Sequence, residues 1–332
     1  MMLWRGCGIR RCSSTSLLHS REYFERIVER FPSVEFAMAY GSGVYAQRGY
    51  SNDKSRPTID MIFATSDAES WHKENLRRHA SHYAQPMRSL GAKSITALQQ
   101  YGGAKVYYHP FVDLGDGNQL KYGVISTQDL ETDLRDWSTM FVAGRLHKPT
   151  LTIKTTNKLT ELQNDNIRFA FNASILLVPS QFELDQLFLT LTSLSYGGDP
   201  RFDFGAENAD KVSNIVNANR EGFANMYSNL LQDYVNQNIL IQKEDSLFER
   251  TDDGILKLYQ DLPESIRFAL NKNSSRHQKD ADSLRSVLSS RVRSAAPAQY
   301  AKGILTAGIF KTFVYLKEKF SKGILSSSSS SS

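Results

Sequence analysis

The sequence predicts an α/β protein: a sheet-bearing first part, then a mostly helical, winged-helix-like part, closed by an amphipathic C-terminal helix. Three observations predict it. Short apolar runs rich in strand formers, such as "VEFAMAY" and "TIDMIFAT", alternate with helix-periodic segments as far as residue 155. Helical spacing then dominates to 272. From 273 the chain turns to Ser, Lys and Arg, carries one last apolar stripe, and ends in a serine-rich tail over 323–332.

The opening "MMLWRGCGIRRCSSTSLLHS" has arginines and serines, no acid, and no apolar run of secretory length, so residues 1–21 read as a mitochondrial presequence. Both cysteines, Cys7 and Cys12, fall inside it. Its removal would leave a chain without thiols, which excludes disulfides, thiolate zinc sites and a cysteine nucleophile. "EYFERIVERF" has helical spacing and stops at Pro32. The two apolar runs that follow are strands flanking a polar loop, Gly41 to Pro57. Ser66 and Asp67 are placed to cap a helix through "AESWHKENLRRH", and "AKSITALQQYG" predicts another. "AKVYYHPFVDL" and "QLKYGVIST", split by "GDGN", read as a hairpin or neighbouring strands, and "QDLETDLRDWSTMFVAG" as a helix. Beyond "KPTLTIKTT" come helices over "KLTELQNDNIRFAFNASILLV", stopped by Pro179, "FELDQLFLTLTSLSYGG" and "NADKVSNIVNANREGFANMYSNLLQDYVNQ". "LFERTDDGILKLYQDL" reads as a small two-stranded wing before the helix "PESIRFALNK". The expected units are therefore 22–155, 156–272, and a basic linker with terminal helix over 273–322.

Charge is unevenly placed. The chain carries a net +5, yet the acid-free start holds Arg5, Arg10, Arg11 and Arg21, and from Arg276 onward ten Lys or Arg face three acids. The middle is acidic by difference. Nucleic-acid affinity leans on a broad basic surface, so nucleic acid is not an expected partner. No apolar stretch has transmembrane length.

The chemistry gathers at "YGSGVY". Gly41 and Gly43 permit a tight turn after a strand, with backbone N–H groups exposed, and Ser42 adds a hydroxyl; such a turn can hold phosphate oxygens. On the next strand Asp60 sits among apolar residues, where an ionised carboxylate needs a cation or donors. Its neighbours Ile59 and Met61 point to the opposite face. A glycine-serine turn followed by a strand aspartate is the core of nucleotidyl transfer, in which carboxylates hold Mg²⁺ against the phosphates. A strand-end carboxylate paired with a lysine or arginine is the alternative for Asp60.

Five segments, "FAMAYGSGVYAQ", "IDMIFATSDAESWHKENLRRHASHYA", "LKYGVIST", "DLRDWSTMFVAGRLHKP" and "AKGILTAGIFKT", together closely resemble the mitochondrial Tam-type phosphatidate cytidylyltransferases, or mitochondrial CDP-diacylglycerol synthases. The resemblance covers about 22–320. It implies a nucleotidyltransferase-fold, Mg²⁺-using enzyme, peripheral on the matrix side of the inner membrane. Such an enzyme condenses CTP with phosphatidic acid to CDP-diacylglycerol and pyrophosphate, toward cardiolipin. The alternative of another class is a non-catalytic matrix-side factor supporting the protein-import translocator. A homo-oligomer is among the states the sequence allows.

Residue by residue, the resemblance places Gly41, Ser42 and Gly43 on the nucleotide turn and Asp60 on the metal. The superfamily's second carboxylate is expected two residues away on the same strand face, where Thr58 and Ile62 stand instead. Asp113 and Asp133 are the candidates for it, and each reads equally as a surface acid. Lys121, with Tyr122 beside it, is expected at the nucleotide, and Arg145 and Lys148 at the reacting phosphates. His72, Asn75, His82 and Tyr83 are expected to hydrogen-bond near the nucleotide or its loop; Tyr40, Tyr45 and Tyr50 to stack on the base or pack locally. Ile309, Phe313, Leu316 and Phe320 form one apolar helical stripe with Lys311, Lys317, Lys319 and Lys322 off it, which suits an anionic membrane surface or packing on protein.

Overall fold

The computed structural model describes residues 17–45, 58–203, 208–273 and 281–307. Helix α1 (Arg21–Glu29) begins where Ser20 Oγ accepts the Tyr23 N–H. Strand β1 (Phe36–Tyr40) runs antiparallel to β2 (Ile59–Thr65) and pairs Tyr40 with Asp60. Asp67, as its position predicts, caps α2 (Ala68–Arg78) by accepting the Ser70 N–H at 2.9 Å. Helix α3 (Gln85–Gln100) starts earlier than "AKSITALQQYG" implies and is broken at Gly91, whose φ of 76° is not helical. The α2–α3 excursion lets β4 (Gln119–Ser126) lie parallel to β2, with Lys121 opposite Asp60. Strand β3 (Tyr107–Asp113) pairs antiparallel with β4 as the expected hairpin. After α4 (Thr127–Asp136), β5 (Leu151–Lys154) closes a five-stranded sheet of order β3-β4-β2-β1-β5.

The second part is helical as expected: α5 (Asn157–Leu177), capped by Thr156, then α6 (Leu184–Ser193), the short α7 (Pro200–Asp203) and α8 (Lys211–Asn236). Its three-stranded sheet is built from β6 (Gln181–Glu183), β7 (Leu240–Gln242) and β8 (Leu247–Arg250) in the order β6-β8-β7. The wing expected in "LFERTDDGILKLYQDL" is therefore only half present. Past Arg250 the chain turns into α9 (Asp252–Gln260), because Thr251 Oγ1 accepts the Gly254 N–H and two acids fill the first turn. Helix α10 (Glu264–Asn273) follows.

The largest correction concerns the stretch expected to be a linker. Residues 281–307 form a long helix, α11 (Ala281–Ala307), docked on the first part. Gln299 accepts the Ala104 N–H and donates to the Val106 carbonyl, and Lys302 donates to the carbonyls of Gln99 and Gly102. Ile309, Phe313, Leu316 and Phe320 lie outside the described residues, as do residues 1–16. Residues 17–21, read with the presequence, are tied in: Leu17 bridges to Tyr45 and the Leu18 N–H donates to Val44. One apolar core joins the sheet's front face, through Phe36, Met38 and Ile62, to Phe171, Phe223 and Leu284 of the helices; a second lies behind the sheet around Phe24, Met61 and Tyr122. No described helix is long and apolar enough to cross a membrane.

Candidate active site

The front of the sheet opens into a cavity of about 470 Å³. Its floor is the end of β1 and the turn that follows. Gly41 has a φ of +80°, the left-handed region that glycine adopts without strain, and a side chain begun there would lie 3.7 Å from Asp60 Oδ2. Gly43 is required for a different reason: a Cβ would sit 2.5 Å from the Thr58 carbonyl oxygen. The turn and Asp60, distant in sequence, thus form one surface. Lys121 reaches it from β4, its Nζ 3.7 Å from Asp60 Oδ1 and 5.0 Å from the centre of the Tyr108 ring.

The segment "DLRDWSTMFVAGRLHKP" builds the side wall around a buried carboxylate. Asp133 accepts the backbone N–H groups of Thr139, Met140, Val142 and Ala143 and the hydroxyls of Ser138 and Thr139. All of this carboxylate's hydrogen bonding goes into folding the loop, and Asp133 does not line the cavity. The loop so held presents Arg145, whose guanidinium carbon lies 3.9 Å from the Phe141 ring centre and 5.2 Å from that of Tyr40. Lys148 follows one turn later, donating to the Gly144 carbonyl and, at 2.8 Å, to Ser195 Oγ. Burial, reinforced by the nearby Arg145 and Lys211, holds its amine well below the usual lysine range.

The structure brings Gly41, Ser42, Asp60, Lys121, Arg145 and Lys148 to one cavity, with Tyr40 and Tyr45 in its wall. It places others elsewhere. Asp113 is exposed at the end of β3 and accepts the Gly115 N–H. Tyr122, next to Lys121, points through the pleat to the back of the sheet, where its hydroxyl accepts from Asn75 and bonds His82. His72, Asn75 and Tyr83 belong to the same back-face network, so these polar groups bond one another away from the cavity. Tyr50 is outside the described residues.

Sequence reasoning missed the opposite wall. Ser195, Tyr196 and Asp199 come from the α6–α7 connection, Arg201 from α7, Lys211 from α8, and Tyr300 from α11. Arg201 grips Asp199 with its guanidinium at 2.6 Å, and Tyr300 donates to the same carboxylate at 2.7 Å. The signal was present in "SYGGDPRFD", a glycine-containing turn with charges between two helices. Five basic side chains and two carboxylates line the cavity, a basic surplus suited to polyphosphate.

The family model described as mitochondrial phosphatidate cytidylyltransferase matches residues 24–322. The chain belongs to that family. Relatives carrying the same name are 36% identical in Xenopus laevis, over 90% of this chain and 94% of the relative, and 34% identical in Schizosaccharomyces pombe, over 92% and 84%. The human relative is 34% identical over 86% of this chain and 67% of its own length. A superposition on the solved nucleotidyltransferase-like protein from Exiguobacterium sibiricum, 11% identical, covers 85% of this chain and 76% of that one at a TM-score of 0.24, too low to bear on the fold. Membership in the family fits the cavity's content, since the segments that carried the resemblance supply its floor and one wall.

Proposed function

We propose that this chain is a phosphatidate cytidylyltransferase of the mitochondrion. A phosphomonoester oxygen of phosphatidic acid attacks the α-phosphorus of CTP, the bond to the β-phosphate oxygen breaks, and CDP-diacylglycerol and pyrophosphate are formed. The observation that carries this reading is the contact between turn and carboxylate: Gly41 and Asp60 form one surface at the floor of a cation-lined cavity. Exposed N–H groups of the turn and the Ser42 hydroxyl bind the triphosphate, and Lys121 and Arg145 offset charge on the phosphates in flight.

The residues present fit magnesium. No group of three or more His, Cys, Asp or Glu gathers among the described residues, and Asp60 is the carboxylate beside the turn. Mg²⁺ needs no all-protein cage; one or two carboxylates with substrate phosphates and water suffice. Asp60 would hold it together with the nucleotide, and when bound it supplies charge neutralisation at the phosphates. We assign the enzyme to the matrix side of the inner membrane, with residues 1–16 read as part of its transit peptide. The stripe Ile309, Phe313, Leu316 and Phe320 follows α11 directly in sequence and is proposed to meet the anionic lipid surface. The test is radiolabelled CTP with the purified full chain, Mg²⁺ and phosphatidate vesicles. Label is expected in lipid with stoichiometric pyrophosphate. CTP binding without lipid labelling overturns the enzyme reading in favour of a non-catalytic factor.

A further inference from the structure

The helical wall of the cavity differs chemically from its floor. Lys148 and Lys211 approach one aromatic ring from separate parts of the chain, their Nζ atoms 5.0 and 5.4 Å from the centre of Tyr196. Apolar surface adjoins them. Ile215 stands one turn beyond Lys211 on the same side of α8, and Val292 and Ala296 of α11 line the cavity too. Helix α11 is held against the 196–201 segment, since Tyr300 bonds Asp199 and the Ser289 backbone lies where a side chain at Gly198 would have to start. Arg145, stacked on Tyr40 beside the turn and one turn ahead of Lys148, lies between the two regions.

A triphosphate ends in bare oxygens and gains nothing from an apolar wall. An acceptor lipid has the opposite need: a phosphomonoester followed within a few bonds by hydrocarbon. We propose that Lys148 and Lys211, set about the Tyr196 ring, form the subsite for the acceptor's phosphomonoester, with its glycerol end against Ile215 and the α11 wall. The assignment rests on the cytidylyltransferase reading and divides the cavity between its two substrates.

The charge state of Lys148 gives the subsite a chemical role. Among the described residues no carboxylate pairs with Lys148; the charged groups about it are Arg145 and Lys211, Asp199 is held by Arg201, and the adjacent His147 is buried against Asn166. A lowered amine is placed to gain a proton when an incoming phosphate brings negative charge beside it. As a dianionic phosphomonoester enters, its charge favours the protonated amine, so Lys148 Nζ takes a proton from solvent and holds the phosphate, still a dianionic nucleophile, as an ammonium.

The test uses the full chain and three calorimetric probes, dihexanoyl phosphatidate, CTP and inorganic phosphate, between pH 7 and 9 in buffers of different ionisation enthalpy. Wild-type protein is expected to take up a proton on binding phosphatidate, and Lys148→Gln to lose that uptake. Lys211→Gln should weaken phosphatidate about tenfold and leave CTP within about twofold, since a charge-assisted contact to one substrate is removed. Ile215→Ser should weaken dihexanoyl phosphatidate several-fold but not inorganic phosphate, which separates a lipid subsite from a plain phosphate site. The proposal is overturned if Lys211→Gln costs CTP as much affinity as phosphatidate at an unchanged Tm, or if phosphatidate affinity does not move. Wild-type proton uptake on CTP rather than phosphatidate overturns it independently of any variant. Phosphatidate binding without cytidylyl transfer would sink the enzyme reading and keep the subsite; transfer with an indifferent Lys211→Gln would sink the subsite alone.

Discussion

Neighbouring residues on the same strands serve opposite ends. Asp60 and Lys121 face the cavity on adjoining parallel strands, side chains 25% and 34% exposed, held by a loose contact of 3.7 Å. Met61 and Tyr122, one residue further along each strand, are fully buried behind the sheet. There Tyr122, Asn75, Tyr83, His72 and Gln99 are linked by hydrogen bonds of 2.8 to 3.0 Å. Polar groups bonded to one another at such distances fix a structure. An ion pair as loose and part-solvated as that of Asp60 with Lys121 contributes little to folding. The sheet thus carries a bonded polar network on one face and the charges of the cavity on the other.

The contrast breaks most visibly at Asp60. Asp60→Asn should lower turnover by about 10²–10³-fold, the scale of losing a key electrostatic stabiliser, while Tm stays at the wild-type value. Near-normal turnover would reduce Asp60 to a strand-end ion pair and erase the distinction.

Acid should strike buried histidines rather than the cavity floor. Burial pushes His72 down to about 4, and burial with the charge of Lys148 pushes His147 down to about 3. Both are depressed below the unfolded value of about 6.5, so between that pH and their folded values the unfolded chain binds more protons. The histidine contribution to stability is therefore complete above about pH 6.5 and falls as pH drops through the window, by up to about 3 kcal/mol for His72. Urea midpoints at pH 7 and 4.5 measure the fall, and His72→Gln should flatten it; an unchanged slope would place the acid sensitivity elsewhere.

A smaller effect separates the faces directly. Tyr122→Phe removes the hydroxyl shared by Asn75 and His82 and should cost about 1–2 kcal/mol, read as a lower Tm, with CTP affinity intact. Loss of CTP binding at constant Tm would return Tyr122 to the nucleotide site. Lys121→Gln should do the reverse, with Tm unchanged and CTP weakened a few-fold, the difference shrinking as salt rises. Salt-independent weakening would mean that Lys121 shapes the site rather than attracting phosphate.

Much of this was legible beforehand because its causes are local. A capping Asp67, the glycines of the turn and the apolar runs of β1, β2 and β4 declare themselves within a few residues. The pleat was legible as well, since Ile59 and Met61 were set opposite Asp60; the same alternation, applied to β4, separates Lys121 from Tyr122. The wing was misjudged because Thr251 and the two aspartates after it start a helix that the flanking apolar residues do not announce. Asp133 looked like a metal ligand because a helix acid carries no sign of which donors will surround it.

By itself the sequence determined the strands, the turn and the carboxylate on the next strand, because backbone conformation and side-chain alternation are fixed by neighbours in the chain. Tertiary structure alone decided which charges share a cavity. Lys211 and Tyr300 reach it on helices far along the chain, and α11 is held in place by Gln299 and Lys302 bonded to backbone groups about two hundred residues earlier. Contacts of that span depend on how whole layers pack, and no local pattern of residues encodes them.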